Sequence, residues 1–308
     1  MRPSGGSLAG VAGLSPASTY DRRSLTYANT FASPWTRAAI RAVEWATAKP
    51  AILARVRAFE GRAAAGEAHE GQAFWDAALR VMGIEVLTPP AQVACIPRDG
   101  PVVLVANHPH GLVDGMVLAA ILGRVRGDYR ILARSILSGI DASASSFMIS
   151  VPFPHEADAQ ARMVAMRSQA MAHLARGGLV ALFPAGGVAA SATLWGPAIE
   201  APWSPFTAKM IRNSGACVVP AFFPGANSRA YQVAGRLSDT LRQGLLLREV
   251  AGAMDRPQAP VVGEAIGPEE LAARLRDPRA GMAWLRERTL ALGHGHPAQR
   301  VGTGVAPP

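Results

Sequence analysis

From residue 100 onward, short β-rich runs alternate with longer segments of helical periodicity, and this alternation constrains the fold more than any other feature. Strands are expected at 102–106, 129–133, 148–153, 179–183 and 217–223, and helices at 112–124, 157–176 and from Ser204-Pro205 to Gly215. Residues 238–250 and 268–292 also read as helical, and no internal repeat is visible. The fold class that follows is α/β: a central mostly parallel or mixed sheet flanked by helices, with an N-terminal amphipathic helical pair.

A chain of 308 residues can fold as one unit of this class. Residues 1–30, rich in Gly, Ser and Pro, read as a flexible arm, 31–293 as the domain and 294–308 as a flexible tail. Within the domain, 31–62 form the helical pair. Ser33 and Pro34 start its first helix, Ile40, Val43 and Thr47 share one face, and Pro50 ends or kinks it. Ile52, Val56 and Phe59 continue the apolar side, with Arg55, Arg57 and Arg62 around it and Trp35 and Trp45 in the pair. Such a pair either lies on a membrane or packs on the domain.

Hydrophobic residues at 49% and charged ones at 17% exclude disorder and leave apolar surface for a lipid-like partner. No run of about 18 uncharged apolar residues exists; the best candidate, Leu112 to Gly123, is short and contains Asp114, so no membrane span is expected. Met1 to Ser18 is broken by Gly and Pro where a signal peptide needs an apolar run, and the expected location is the cytoplasmic face of the cell membrane, peripherally bound. A net charge of +9 favours anionic partners, an anionic membrane surface among them. Nucleic acid is not expected, because no basic run is interleaved with stacking aromatics. Cys95 and Cys217 sit in apolar context and read as thiols of a reducing compartment.

The chemistry concentrates in Val102 to Gly115, VVLVANHPHGLVDG, where a buried strand ends at Asn107-His108 and a helix begins near Leu112 with Asp114 in its first turn. Sites form at such strand ends. A histidine and a carboxylate across the turn can pair, the carboxylate fixing the imidazole tautomer and stabilising its protonated form. His108 is then a general base with Asp114 as its partner, and Asn107, His110 and Gly111 line the same turn. No Gly-x-Ser-x-Gly is present and neither cysteine lies in a basic, exposed setting, so the nucleophile is expected to be the substrate. A hydroxyl held against His108 could attack a thioester, with backbone N–H groups binding the oxyanion. Phe183-Pro184-Ala185-Gly186-Gly187, after a strand, offers either such a nest or an ordinary turn.

Together these segments resemble the glycerolipid and lysophospholipid acyltransferase family, which includes 1-acylglycerol-3-phosphate acyltransferases and lyso-ornithine lipid acyltransferases. The resemblance spans about Thr26 to Arg288. Asn107 to Asp114 is similar to the family's first block, Phe183 to Gly186 to its third, and Val218 to Pro220 with Gly225 to Ser228 to its fourth. It implies an α/β sheet, His108 as catalytic base, Asp114 as its partner, and the 183–187 loop and Asn227 in the acceptor site. It also implies a lysolipid acceptor, lysophosphatidic acid or a related lysophospholipid. The acyl group would come from acyl carrier protein or coenzyme A thioester, with no cofactor and no metal; a lyso-ornithine lipid is the alternative acceptor.

The departures are specific. Five residues separate His108 from Asp114 where the family commonly has four. The carboxylate expected before the glycine of the third block is missing, Ala185 standing there and Gly187 just beyond. The arginine after the second block is replaced by Pro154 and His155, leaving Arg134 and Arg229 as candidates to grip a phosphate or carboxylate. His108, His110 and Asp114 could instead ligate a metal in a metal-dependent hydrolase. A membrane-binding module without catalysis is a third reading. The stripe Met163, Met166, Ala170, Met171 and Leu174 reads as core or as acyl-chain contact, and Trp195, Trp203 and Phe206 as an entrance lip or core.

Overall fold

The computed structural model describes residues 26–31, 33–134, 142–153 and 158–294. Most of the expected arm and tail, together with Pro154 and His155, lie outside these residues.

Ser33 caps helix α1 (Pro34–Thr47) by accepting from the Thr36 N–H, and α2 (Lys49–Ala64) follows after Ala48, with Pro50 in its first turn where no N–H is missed. Buried Glu44 of α1 accepts the Thr26 hydroxyl and the Tyr27 N–H, tying the start of the domain to this helix. Two helices without sequence warning follow, α3 (Ala73–Val81) and the single turn α4 (Pro90–Val93).

The expected alternation then begins: β1 (Val102–Ala106), α5 (Leu112–Gly123), β2 (Tyr129–Arg134), α6 (Ala142–Ser146), β3 (Met148–Val151), α7 (Ala159–Ala175) and β4 (Leu179–Leu182). A small hairpin, β5 (Ala190–Ser191) and β6 (Ala198–Ile199), precedes α8 (Pro205–Ser214) and β7 (Cys217–Phe222). The chain ends with α9 (Arg229–Leu237), α10 (Asp239–Gly244), α11 (Leu246–Ala253), β8 (Val261–Val262), α12 (Pro268–Arg274) and α13 (Pro278–Ala291).

Six strands form one sheet in the order β3-β2-β4-β1-β7-β8, parallel except for β8. Alternate residues of β1 face opposite cores: Val102, Leu104 and Ala106 pack with α2, α3, α5 and α11, while Val103 and Val105 pack with α7, α8, α12 and α13. Burial on both faces is what the unbroken apolar run requires. Because β4, β1 and β7 are adjacent and parallel, the loops after them emerge at one sheet edge.

Three expectations need correction. The segment 268–292 is two helices, because Asp277 accepts from the Arg279 and Ala280 N–H groups and Pro278 opens a new helix. The segment 238–250 is likewise divided at Leu245 and runs on to Ala253. The strand expected to reach residue 153 ends at Val151. In the α7 stripe, Met166, Ala170 and Leu174 are buried core, as is Trp203, whereas Trp195 is 79% exposed. Among the described residues, no helix is long and apolar enough to cross a membrane.

Candidate active site

Three loops converge at the carboxyl edge of the central strands. The first, between β1 and α5, is shaped by Gly111, whose φ of 86° is open to glycine and strained for other residues. Asn107 begins it. Its side-chain amide donates to the Phe223 carbonyl at 2.8 Å and its oxygen accepts the Phe223 N–H at 2.6 Å, extending the β1–β7 pairing past the last strand residue. Asn107 is thus a buried backbone staple under the site.

His108 follows, with its Nδ1 3.0 Å from Oδ2 of Asp114. Asp114 is wholly buried in the first turn of α5 and accepts four hydrogen bonds: from the two imidazoles and from the backbone N–H groups of His110 and Gly111. Burial alone would raise its carboxyl, but the charge of His110 and the hydrogen bonds from both rings bring it down to about 2. An ionised carboxylate can only accept, so Nδ1 of His108 carries a proton and Nε2 is left as the basic atom.

The ring orientation is fixed from a second side. Phe183, at the end of β4, lies flat on the His108 imidazole, with ring centroids 3.9 Å apart and planes 19° from parallel. The carbonyl of His108 accepts from the Ala189 N–H, so the loop after β4 is pinned to the loop after β1. Pro184 is buried and its carbonyl accepts the Ser204 N–H. In the expected nest, the Gly186 N–H is already donated to the Phe183 carbonyl. A Cβ placed at Gly186 or Gly187 would meet nothing within 4 Å, so free space adjoins both.

Arg134 reaches this loop, donating to the carbonyls of Gly186 at 3.0 Å and Pro152 at 3.2 Å while its guanidinium lies over Phe153. Arg229 sits elsewhere: it donates to the Gly196 carbonyl at the tip of the β5–β6 hairpin. Asn227 is buried in the third loop, and its side-chain nitrogen has no hydrogen-bond partner among the described residues. Next to it, Ser228 gives its N–H and hydroxyl to Glu249 of α11.

His110 places Nδ1 3.0 Å from Oδ1 of Asp114. Burial pulls its basicity down, but the charge and hydrogen bond of Asp114, with Glu249 adding, leave it above the ordinary histidine value. The metal reading of His108, His110 and Asp114 does not fit this geometry: both rings turn toward the carboxylate instead of a common point, and each carboxylate oxygen already accepts from one of them. Among the described residues no group of three or more His, Cys, Asp or Glu could hold a metal ion.

One residue escaped the sequence reading. Glu200, just after β6, is buried with Oε1 accepting the Trp203 indole N–H at 3.1 Å, and its backbone carbonyl accepts from Arg286 of α13. Burial pushes its carboxyl up to about 7, against the Trp203 hydrogen bond and Arg286; the Asp114 charge adds to the rise. The one signal available was its isolation as the only acidic residue between Asp158 and Asp239.

A family model described as Acyltransferase matches residues 64–247, more than half of the chain. Among solved structures the chain is similar to a crystal structure of the 1-acyl-sn-glycerophosphate (LPA) acyltransferase from Thermotoga maritima, with a TM-score of 0.48 and 14% sequence identity over 77% of this chain and 80% of that chain. A search of curated proteins found no significant match.

Proposed function

The chain belongs to the acyltransferase family, and from that membership we propose that this enzyme moves a fatty acyl group from a thioester carrier to the hydroxyl of a lysolipid, with His108 as general base. The observation that carries the proposal is the His108–Asp114 contact at 3.0 Å, which orients the ring and leaves Nε2 as its basic atom. An acceptor hydroxyl within reach of Nε2 gives up its proton as its oxygen attacks the thioester carbonyl. The tetrahedral intermediate then expels the carrier thiolate, and the proton on His108 passes to that sulfur. Asp114 stabilises the transient imidazolium without taking its proton.

An apolar cleft supports a fatty substrate. It encloses about 820 Å³ including its open mouth, and Ile52, Val56, Phe74, Trp75, Leu112 and Met116 are among its lining residues. Leu112 and Met116 belong to α5, whose first turn carries Asp114, so the cleft begins one helical turn from the reacting centre. The acyl chain lies there.

The donor is acyl carrier protein or coenzyme A thioester. The acceptor is a lysophospholipid such as lysophosphatidic acid, with a lyso-ornithine lipid as the alternative. Peripheral binding to an anionic membrane is supported by Trp35 and Trp45 of α1, 84% and 59% exposed on a chain of net charge +9. The test is acyl transfer by purified protein given labelled thioester and a panel of lysolipids in anionic vesicles. Replacing His108 with Ala should abolish transfer; full transfer by that variant overturns the assignment.

A further inference from the structure

We propose that His110 is a positioning residue for the reaction: by holding the second oxygen of Asp114 and carrying the charge that balances it, His110 keeps His108 neutral and ready to accept a proton. The inference rests on His108 being the base. Its geometric ground is that one carboxylate serves two imidazoles. His108 Nδ1 is 3.0 Å from Oδ2 and His110 Nδ1 is 3.0 Å from Oδ1, and the carboxylate between them is fully buried. In such surroundings one anion balances one cation well, and a second imidazolium on the same carboxylate is opposed by the first.

The surrounding charges decide which ring takes the proton. His110 faces Glu249 of α11, which adds to the pull of Asp114. Glu249 is itself held by Ser228 and accompanied by Arg248, whose guanidinium donates to the Ser228 hydroxyl. His108 has the aromatic face of Phe183 against its ring, which balances no charge. Glu200 lies near Asp114 and the His108 backbone; with its carboxyl raised to about 7 it is about half ionised near pH 7, and Arg286 of α13 counters that charge. The proton is therefore held by His110, whose backbone N–H also donates to Asp114 at 2.8 Å. A histidine that merely filled space would need neither contact.

The backbone supports the same assignment. Gly225 approaches the other side of the His110 ring so closely that a Cβ there would stand 3.0 Å from Nε2. With Gly225 on one side and Asp114 on the other, the ring has little freedom to leave the carboxylate.

The test reads protonation apart from turnover. In ligand-free protein, histidine ring signals are followed by NMR against pH in wild type and in His110→Asn, whose side-chain amide can still donate to Asp114 but carries no charge. The expected result is a rise of about one pH unit in the titration of His108 in the variant, with the acid limb of kcat/KM moving up equally. An unmoved His108 titration with only a lower plateau overturns the proposal and leaves a structural role. Should His110→Asn fail to fold, wild type decides: a coupled pair titrates with broadened, interdependent curves, and two independent curves overturn the proposal. A His108→Ala variant that keeps full transfer would refute the base assignment instead, so the two failures are distinguishable.

Discussion

Asn107 and Phe223 exchange a pair of hydrogen bonds, 2.8 Å from the asparagine amide to the phenylalanine carbonyl and 2.6 Å from the phenylalanine N–H to the asparagine oxygen. A side chain here does what backbone does inside a parallel ladder. It closes the β1–β7 pairing one residue past Ala106 and thereby fixes where His108 leaves the sheet.

Replacing Asn107 with Ala strands both Phe223 groups in a buried site. Unsatisfied buried groups cost about 1–3 kcal/mol each, so the variant should lose on the order of 3 kcal/mol of stability. Urea unfolding measures this directly. A loss below about 0.5 kcal/mol would mean that water or a shifted backbone replaces the staple.

Phe183 holds the His108 ring from one face while Asp114 holds its edge. Such ring pairs contribute about 0.5–1.5 kcal/mol, and loss of orientation in the transition state should lower kcat by up to about tenfold. Phe183→Ala should show that fall with KM changed less, whereas Phe183→Tyr should keep most of the rate. Steady-state kinetics on the pair of variants separates ring positioning from substrate binding.

The sheet was legible because β1, β4 and β7 are apolar runs bounded by turn residues, and the site because Asn107, His108 and Asp114 straddle such a boundary. The β5–β6 hairpin and β8 were not, since two-residue strands leave no periodicity to detect. Asn107 reads from sequence as a site-lining residue; only the fold reveals that residues separated by 116 positions make it a staple. Arg134 and Arg229 read as anion grips, and the fold puts their guanidiniums on backbone carbonyls, Arg134 at the glycine loop and Arg229 at the hairpin tip. Glu200 was hidden because Trp203, three residues on, gives no sign of turning its indole N–H back to the carboxylate, and Arg286 arrives from α13, 86 positions away.

Glu200 gives stability a defined pH dependence. Its carboxyl is pushed from the usual 4.5 up to about 7 in the folded chain. A raised acid contributes stability that is fully present below the unfolded value and lost as pH rises through the folded one, so the wild type should weaken between about pH 4.5 and pH 7. Glu200→Gln keeps an oxygen for the Trp203 N–H and removes the titration. The variant should gain on wild type by on the order of 3 kcal/mol between pH 4.5 and pH 8, read by denaturant unfolding at each pH. A difference independent of pH would show that the carboxyl is hydrated.

Asp114 carries the opposite sign. Its folded carboxyl, brought down to about 2 from the usual 3.8, contributes stability that is present above the unfolded value and lost as pH falls through the folded one. The window is therefore about pH 4 to pH 2, and the contribution about 2 kcal/mol. Asp114→Asn lacks it, and also presents an NH2 group to a cluster of four donors that need an acceptor. The stability gap between wild type and variant should be widest near pH 5 and shrink toward pH 2. Activity should fall by about 10³-fold or more, because Nδ1 of His108 no longer has an anion to select its tautomer. If unfolding shows the gap narrowing while turnover survives, the carboxylate serves the fold and some other group orients the imidazole.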